Sequence, residues 1–219
     1  GRDLFFQDLQ GSLRRLRQCT FFRHVIMLAA LDGLGKIFDS IRANVYKEAM
    51  TAPTITVFVC LGSNTPDAAH MLSLAVERLR ALPRARVDAL SGIYLTEPQD
   101  YADQPWFHNQ VVRMELETDW TPQSFVRALL AEEKQLGRQR SSDPALRFGP
   151  RCIDMDLLLF GDSQCDAPES IVPHPRMCQR AFVLIPLCDV GAACRIHGRT
   201  PVQWLAGLKY RQEGQRIFQ

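Results

Sequence analysis

Two aspartates in the segment LRFGPRCIDMDLLLF, residues 146–160, have the types and spacing that best fit a chemical role. Asp154 and Asp156 stand two apart, at the start of an apolar run that predicts a buried strand. Because residues two apart in a strand point to the same face, the carboxylates should lie roughly 7 Å apart on one side of a sheet. Their like charges repel at the edge of an apolar core, so they need a cation, a shared proton or full exposure to water.

A basic loop precedes the two aspartates. Four arginines fall within fourteen residues: Arg138, Arg140, Arg147 and Arg151. Carboxylates that bind Mg²⁺ usually share it with substrate phosphates. Arginines bind such phosphates and stabilise the charge that moves during transfer. The pattern favours metal-assisted phosphoryl transfer over its alternative, a solvated basic loop beside an exposed aspartate pair.

Three other segments hold polar or aromatic side chains that suit binding. VPHPRMCQRAF contains His174, Arg176 and Arg180, which are either further donors to a phosphate or structural residues. CLGSN, residues 60–64, is either a backbone anion nest or an ordinary turn. The loop 96–109 either packs its own rings or binds a flat heterocycle with donors and acceptors on its edge. Its relevant residues are Tyr101, Trp106, Phe107 and Asn109.

Apolar periodicity predicts the elements that position these side chains. Strands are expected at Ile55–Leu61, Val87–Leu95 and Gln110–Leu116, and in the segment after Asp154. Thr65-Pro66 and Thr121-Pro122 each predict a helix start, Gly137 predicts the end of the second helix, and Thr200–Gln203 predicts a capping box. Two helices among antiparallel strands predict an α+β fold with a ferredoxin-like layer.

Glu133 falls within the apolar stripe of the helix that begins at Thr121-Pro122. That stripe consists of Val126, Leu129, Leu130 and Leu136. A carboxylate on the inward side of a helix requires a partner, because its burial is otherwise costly. We therefore expect Glu133 to contact a group from another element.

The composition of the chain bounds its class. The 219 residues carry a net charge of +2, which gives no general argument for a nucleic-acid partner. The longest apolar run near the N-terminus, Val25–Leu31, is too short to span a membrane. Seven cysteines without a C-x-x-C pair predict reduced thiols and a cytoplasmic location.

Residues 1–49 differ from the rest of the chain. They show apolar residues at helical spacing and no polar constellation, so we predict a helical N-terminal extension, with residues 50–219 as the catalytic domain and Met50 as its functional start. Phe21, Phe22 and Val25 are too apolar to leave in water. We expect them to pack on the sheet's free face or on a second copy of the chain, which would form a homodimer.

From about Thr54 to Leu208 the sequence resembles 6-hydroxymethyl-7,8-dihydropterin pyrophosphokinase, an enzyme family of folate biosynthesis. The most specific element is RFGPRCIDMDLLLF, residues 147–160. LGSN, TEP, FHN, GRQR and VPHPRMCQRAF follow the order of the family. The resemblance does not cover residues 1–49.

The resemblance implies roles for individual residues. Asp154 and Asp156 would bind two Mg²⁺ ions that bridge the phosphates of ATP. Residues at the nucleotide site would be Glu133, Arg138, Arg140, Arg147, Arg151, His174 and Arg180, of which Arg140, Arg147 and Arg151 also serve catalysis. Residues at the pterin site would be Thr96, Pro98, Phe107, Asn109, Phe148 and Phe182.

The sequence departs from the family at several of these positions. Phe148 stands where many members have Trp, and Phe107 stands where Tyr is common. Pro175 follows His174 where an aromatic residue is frequent, so the nucleotide contact that the family makes there is not implied for this chain. Residues 141–149 have the composition of a mobile lid over ATP.

The function expected from the resemblance is transfer of pyrophosphate from ATP to the hydroxymethyl group of the dihydropterin, with release of AMP. The enzymatic alternative is another two-metal phosphoryl or nucleotidyl transferase that uses the same aspartates. The non-enzymatic alternative is a ferredoxin-like RNA-binding module that uses the arginines of residues 138–151. The near-neutral charge and the lack of an RNA-binding aromatic pattern disfavour it.

Overall fold

The computed structural model of the chain describes residues 53–99, 103–139 and 151–219. The extension at residues 1–49 and the boundary at Met50 lie outside these ranges. So do Arg140, Arg147 and Phe148 and most of the segment expected to form a lid. The roles expected for them stay predictions.

The described residues form seven strands and four α-helices. The strands are β1 (Thr54–Ser63), β2 (Ala85–Leu90), β3 (Tyr94–Thr96), β4 (Phe107–Glu117), β5 (Asp154–Phe160), β6 (Arg211–Glu213) and β7 (Arg216–Phe218). The α-helices are α1 (Ala68–Arg80), α2 (Pro122–Gln135), α3 (Ala181–Gly191) and α4 (Pro201–Leu205), and a 3₁₀ turn at Met177–Gln179 precedes α3.

The described strands form a single mixed sheet in the order β5-β1-β4-β3-β7-β6, with β2 paired to β4 beside β3. The central strands are antiparallel, and β3 pairs with β7 in parallel. In this register Gly62 lies opposite Asn109 on one side and Asp154 on the other. Three segments that are distant in sequence therefore meet at one end of the sheet.

Helices cover both faces of the sheet. Val57, Val59 and Leu61 of β1 pack with α1 and α2 in one apolar core. Phe58 and Cys60, which alternate with them, pack with α3 and α4 in the other. The predicted α+β class is confirmed, since helices and a mixed sheet are both present.

The helix boundaries follow local side-chain chemistry. Thr121 and Thr200 each form a capping box with the residue three positions later, as expected for Thr200. Gly137, two residues after α2, has φ of 91°, the left-handed conformation that glycine adopts most readily. The start predicted at Thr65-Pro66 is wrong by two residues, because α1 begins at Ala68 with Asp67 as its N-cap.

The strand predicted at Val87–Leu95 is two strands, β2 and β3. Between them, the Gly92 amide donates to the Asp189 carboxylate of α3 at 3.0 Å. Ser91 also bonds to the backbone of Val111 through both its amide and its hydroxyl. These contacts come from elements that are distant in sequence, and the local sign of the break is the Ser91-Gly92 pair, which is typical of a turn.

In the described ranges, no helix has the length and apolar content that a bilayer crossing requires.

Candidate active site

A cleft opens on the α3 side of the sheet, where β1, β3, β4 and β5 come together. Its walls contain both acidic and aromatic side chains. The residues that line it are Cys60, Gly62, Thr96, Glu97, Gln99, Gln104, Phe107, Asn109, Arg151, Asp154, Asp156, Leu158, His174, Arg180, Phe182 and Val183. Residues expected at the nucleotide site and residues expected at the pterin site thus line one cleft.

Asp154 and Asp156 both face this cleft from β5, as their spacing predicted. Asp154 forms ion pairs with Arg138 and Arg151, and all three side chains are largely shielded from water. Asp156 lies opposite Cys60 in the sheet and is exposed. The repulsion expected between the aspartates is thus offset at Asp154 by two guanidinium groups.

Glu133 has the partner that its place in an apolar stripe required. Its side chain is buried, and Oε1 accepts a hydrogen bond from the Met155 amide at 2.8 Å. Oε2 lies 3.5 Å from Nε of Arg138. The carboxylate therefore joins α2 to the strand residue between the two aspartates. Glu133 does not line the cleft, so its expected contact with the nucleotide stays a prediction.

Four of the side chains expected to hold a pterin line the same cleft as the aspartates. Asn109 and Thr96 are both buried, and Nδ2 of Asn109 donates to Oγ1 of Thr96 at 2.7 Å. Phe107 and Phe182 line the same space from β4 and α3. Pro98 is not among the lining residues, although its neighbours Glu97 and Gln99 are.

Gly62 is at the centre of this arrangement. A Cβ at this position would lie 2.9 Å from Oδ1 of Asn109 and 4.0 Å from the Cβ of Asp154. A contact below 3.0 Å requires one group to shift, so glycine lets the amide of Asn109 approach the β1 backbone. The glycine of the CLGSN segment is therefore explained by packing.

The geometry agrees with the comparisons with known proteins. The family model of 7,8-dihydro-6-hydroxymethylpterin-pyrophosphokinase matches residues 58–192. The chain belongs to this family. Residues of the cleft from Cys60 to Val183 all fall within the match.

Several pyrophosphokinases align in sequence with most of this chain. A Pseudomonas aeruginosa 2-amino-4-hydroxy-6-hydroxymethyldihydropteridine pyrophosphokinase is 41% identical over 155 residues, 70% of this chain and 92% of that protein. A protein of the same name from Methylorubrum extorquens is 40% identical over 151 residues, 69% of this chain and 92% of that protein. The Bacillus subtilis protein of the same name is 38% identical over 133 residues, which are 61% of this chain and 76% of that protein.

A solved structure of Plasmodium falciparum HPPK-DHPS shares the fold, with a TM-score of 0.53 at 11% identity. The match covers 71% of this chain and 46% of that one. The similarity shows that the two chains share a fold.

Two hydrogen bonds fix the position of His174 in the cleft, one through its backbone amide and one through its ring. Its amide donates to the Leu158 carbonyl at 2.9 Å, and Nδ1 accepts from the Arg176 amide at 3.2 Å. Burial lowers the pKa of the imidazole below its ordinary 6.5; Arg180 and Arg176 lower it further, and Asp156 opposes them. The ring is therefore neutral at pH 7 and can donate a hydrogen bond through Nε2.

Arg180 occupies the N-cap position of α3, and its guanidinium lies over the ring of Phe182, 5.4 Å from the centroid. Since Arg180 and Phe182 both line the cleft, the start of α3 presents one residue expected at the nucleotide site and one expected at the pterin site.

Asn64 is a site residue that sequence reasoning missed. Its Oδ1 accepts from the Arg151 amide at 2.7 Å, and its Nδ2 donates to Oε1 of Gln104 at 3.0 Å and to the Pro105 carbonyl at 3.2 Å. The sequence predicts an anion nest or an ordinary turn at CLGSN, and in the structure the side chain of its asparagine joins two walls of the cleft. The signal available in the sequence was an asparagine directly after the turn that ends an apolar strand.

Cys60 was also missed as a lining residue. Burial, followed by the charge of Asp156, raises the pKa of its thiol to about 12, so it is a neutral group in the floor of the cleft. The six cysteines in the described ranges are free thiols.

Proposed function

We propose that the chain transfers the β,γ-pyrophosphoryl group of ATP to the hydroxymethyl group of 6-hydroxymethyl-7,8-dihydropterin, releasing AMP, as a step of folate synthesis. The main support for this proposal is the composition of one cleft. It contains two aspartates, one of them paired with arginines, together with the buried amide of Asn109 and two phenyl rings. The first set suits a triphosphate and the second suits a flat heterocycle. The family to which the chain belongs carries the name of this activity.

The two aspartates of the cleft support the expected binding of Mg²⁺. Asp154 and Asp156 supply hard carboxylate oxygens on one face of β5. In the described ranges no group of three or more His, Cys, Asp or Glu side chains could hold a metal. This donor set suits Mg²⁺, which takes one or two carboxylates and completes its shell with water and substrate phosphates. When bound, such ions neutralise phosphate charge and orient the transferred group.

The basic side chains of the cleft would bind and orient the triphosphate of ATP. Arg151 and Arg138, already beside Asp154, would place positive charge next to the triphosphate. His174 would offer the Nε2 hydrogen of a neutral ring to the nucleotide, and Arg180 would add a cation from the start of α3. Arg140 and Arg147 are expected to contribute from the neighbouring loop.

The pterin would be held by its edge and by its faces. Asn109, oriented by its hydrogen bond to Thr96, presents an amide to the heterocycle, and Phe107 and Phe182 would contact the ring. The hydroxymethyl oxygen would then attack the β-phosphorus in line, forming one P–O bond. The bond from that phosphorus to the α,β-bridging oxygen breaks, AMP leaves with the electron pair, and the hydroxyl proton is released.

The finer structural and cellular assignments rest on other observations. The order β5-β1-β4, with β2 beside β4 and helices after β1 and β4, supports a ferredoxin-like core. The unpaired cysteines support the prediction of a cytoplasmic location. Homodimerisation through residues 1–49 stays a prediction.

The proposal is tested by measuring AMP from ATP with and without the pterin alcohol, and with Mg²⁺ either supplied or removed by EDTA. We expect AMP only when both pterin and Mg²⁺ are present. ADP as the product, or AMP without the pterin, would indicate a different transferase.

A further inference from the structure

Gln219, which follows β7, forms hydrogen bonds to two separate walls of the cleft. Its Oε1 accepts from the Ala181 amide at 2.7 Å and from Nε2 of Gln99 at 2.9 Å. Its Nε2 donates to the Gln179 carbonyl at 2.8 Å, and its own amide donates to Oε2 of Glu97 at 3.2 Å. Because two of these partners are backbone groups with fixed donor and acceptor roles, the orientation of the Gln219 amide is determined.

The contact with Ala181 gives α3 a cap that its own sequence lacks. Arg180, the N-cap residue, makes no side-chain capping hydrogen bond, and Ala181 is the first residue of the helix. The first amides of a helix need an acceptor from elsewhere. Gln219, 38 residues further along the chain, provides one.

The contacts with Glu97 and Gln99 reach the other side of the cleft. Both residues line it, directly after Thr96 at the end of β3. The neighbouring ring of Phe218 packs edge-on against Trp106, with centroids 5.2 Å apart. The segment that ends at Gln219 is thus attached to the β3 wall by hydrogen bonds and to the loop before β4 by an aromatic contact.

We propose that Gln219 is a positioning residue of the pterin pocket, which fixes the spacing between Phe182 on α3 and the wall formed by Thr96, Glu97 and Gln99. It contacts neither the aspartates nor the arginines beside them. Its loss should therefore weaken pterin binding and leave the transfer step unchanged. This role rests on the proposed function, because it concerns the site of that reaction.

The test compares Gln219→Met with Gln219→Glu. Methionine keeps the length of the side chain and removes its hydrogen bonds. We expect it to raise the pterin KM roughly ten-fold at saturating ATP, with kcat within about two-fold, since several hydrogen bonds are lost together. Glutamate keeps an acceptor for Ala181 and Gln99 but faces the Gln179 carbonyl, so we expect a rise of about three-fold or less.

Gln212→Met is the matched control. Its side-chain amide donates within the β6–β7 turn, to the Gly214 carbonyl, and we expect its KM and kcat to match those of the unchanged protein. A purely structural role of Gln219 would lower kcat and the melting temperature with no change in the pterin KM, and that result would overturn the proposal. So would equal KM values for Gln219→Met and Gln212→Met. Absence of AMP release from the unchanged protein would instead contradict the proposed function.

Discussion

At the scale of single residues, Asp154 and Asp156 have different surroundings although the sequence presents them as a pair. Asp154 is paired with Arg138 and Arg151 and is shielded from water, whereas Asp156 is exposed. We therefore expect both side chains to be needed for Mg²⁺ binding, but Asp154 to contribute more than Asp156 to the free energy of unfolding.

We predict that Asp154→Asn and Asp156→Asn each lower AMP release by about a thousand-fold, because each removes a carboxylate expected to bind Mg²⁺. Asp154→Asn should also cost about 1–3 kcal/mol of unfolding free energy, since it deprives two largely buried guanidinium groups of their charge partner. Asp156→Asn should cost much less. Urea denaturation and the AMP assay check both points, and near-normal activity of either variant at saturating Mg²⁺ would refute the metal assignment.

His174 allows a prediction about pH. Its pKa in the folded protein lies below the ordinary 6.5, mainly through burial, so the unfolded chain takes up the proton first. The stability due to the neutral ring is complete above about pH 6.5 and is lost as the pH falls from there towards the folded-state pKa. Asp156 faces the ring and opposes the shift, and Arg176 and Arg180 reinforce it.

We therefore expect His174→Gln, which cannot be protonated, to gain stability relative to the unchanged protein as the pH falls from 7.5 to 5.5. Denaturation without Mg²⁺ or substrates measures this difference. A constant difference across that range, or one of opposite sign, would contradict the depressed pKa.

At the scale of elements, the close approach of β1 and β4 at Gly62 determines the position of Asn109. We predict that Gly62→Ala leaves the protein folded, because the nearest atom is the tip of a side chain that can move. The shifted amide should raise the pterin KM roughly ten-fold, since small misplacements of binding groups are costly. Gly207→Ala is the control, because its Cβ would meet the Trp204 carbonyl at an ordinary 3.5 Å. An unchanged pterin KM in Gly62→Ala would show that Asn109 needs no such approach.

Local patterns predicted the elements better than their junctions. The period-2 pattern placed Asp154 and Asp156 on one face, and the stripe of α2 showed that Glu133 needed a partner, both of which the structure confirms. No local pattern could name that partner, since Met155 lies 22 residues away. The Ser91-Gly92 pair is a local sign of the break between β2 and β3, but no local pattern could name its partner Asp189, which lies 97 residues from Gly92.

At the scale of the whole molecule, the cleft is made by long-range contacts. Asn64 joins Arg151 to Gln104, and Gln219 joins α3 to the β3 wall. The sequence could identify the motifs that surround the cleft, because each is a short segment with its own chemistry. It could not show that β6 and β7, two strands of three residues each, extend the sheet and bring Gln219 to the cleft.

The central claim is that the β- and γ-phosphoryl groups move together from ATP to the pterin. The most direct measurement follows label from ATP carrying ³²P at either the α or the γ position, with the pterin alcohol and Mg²⁺ present. We expect γ-label in the pterin product and α-label in AMP, in equal molar amounts. Label from the α position in the pterin product, or γ-label released as free phosphate with ADP, would contradict it.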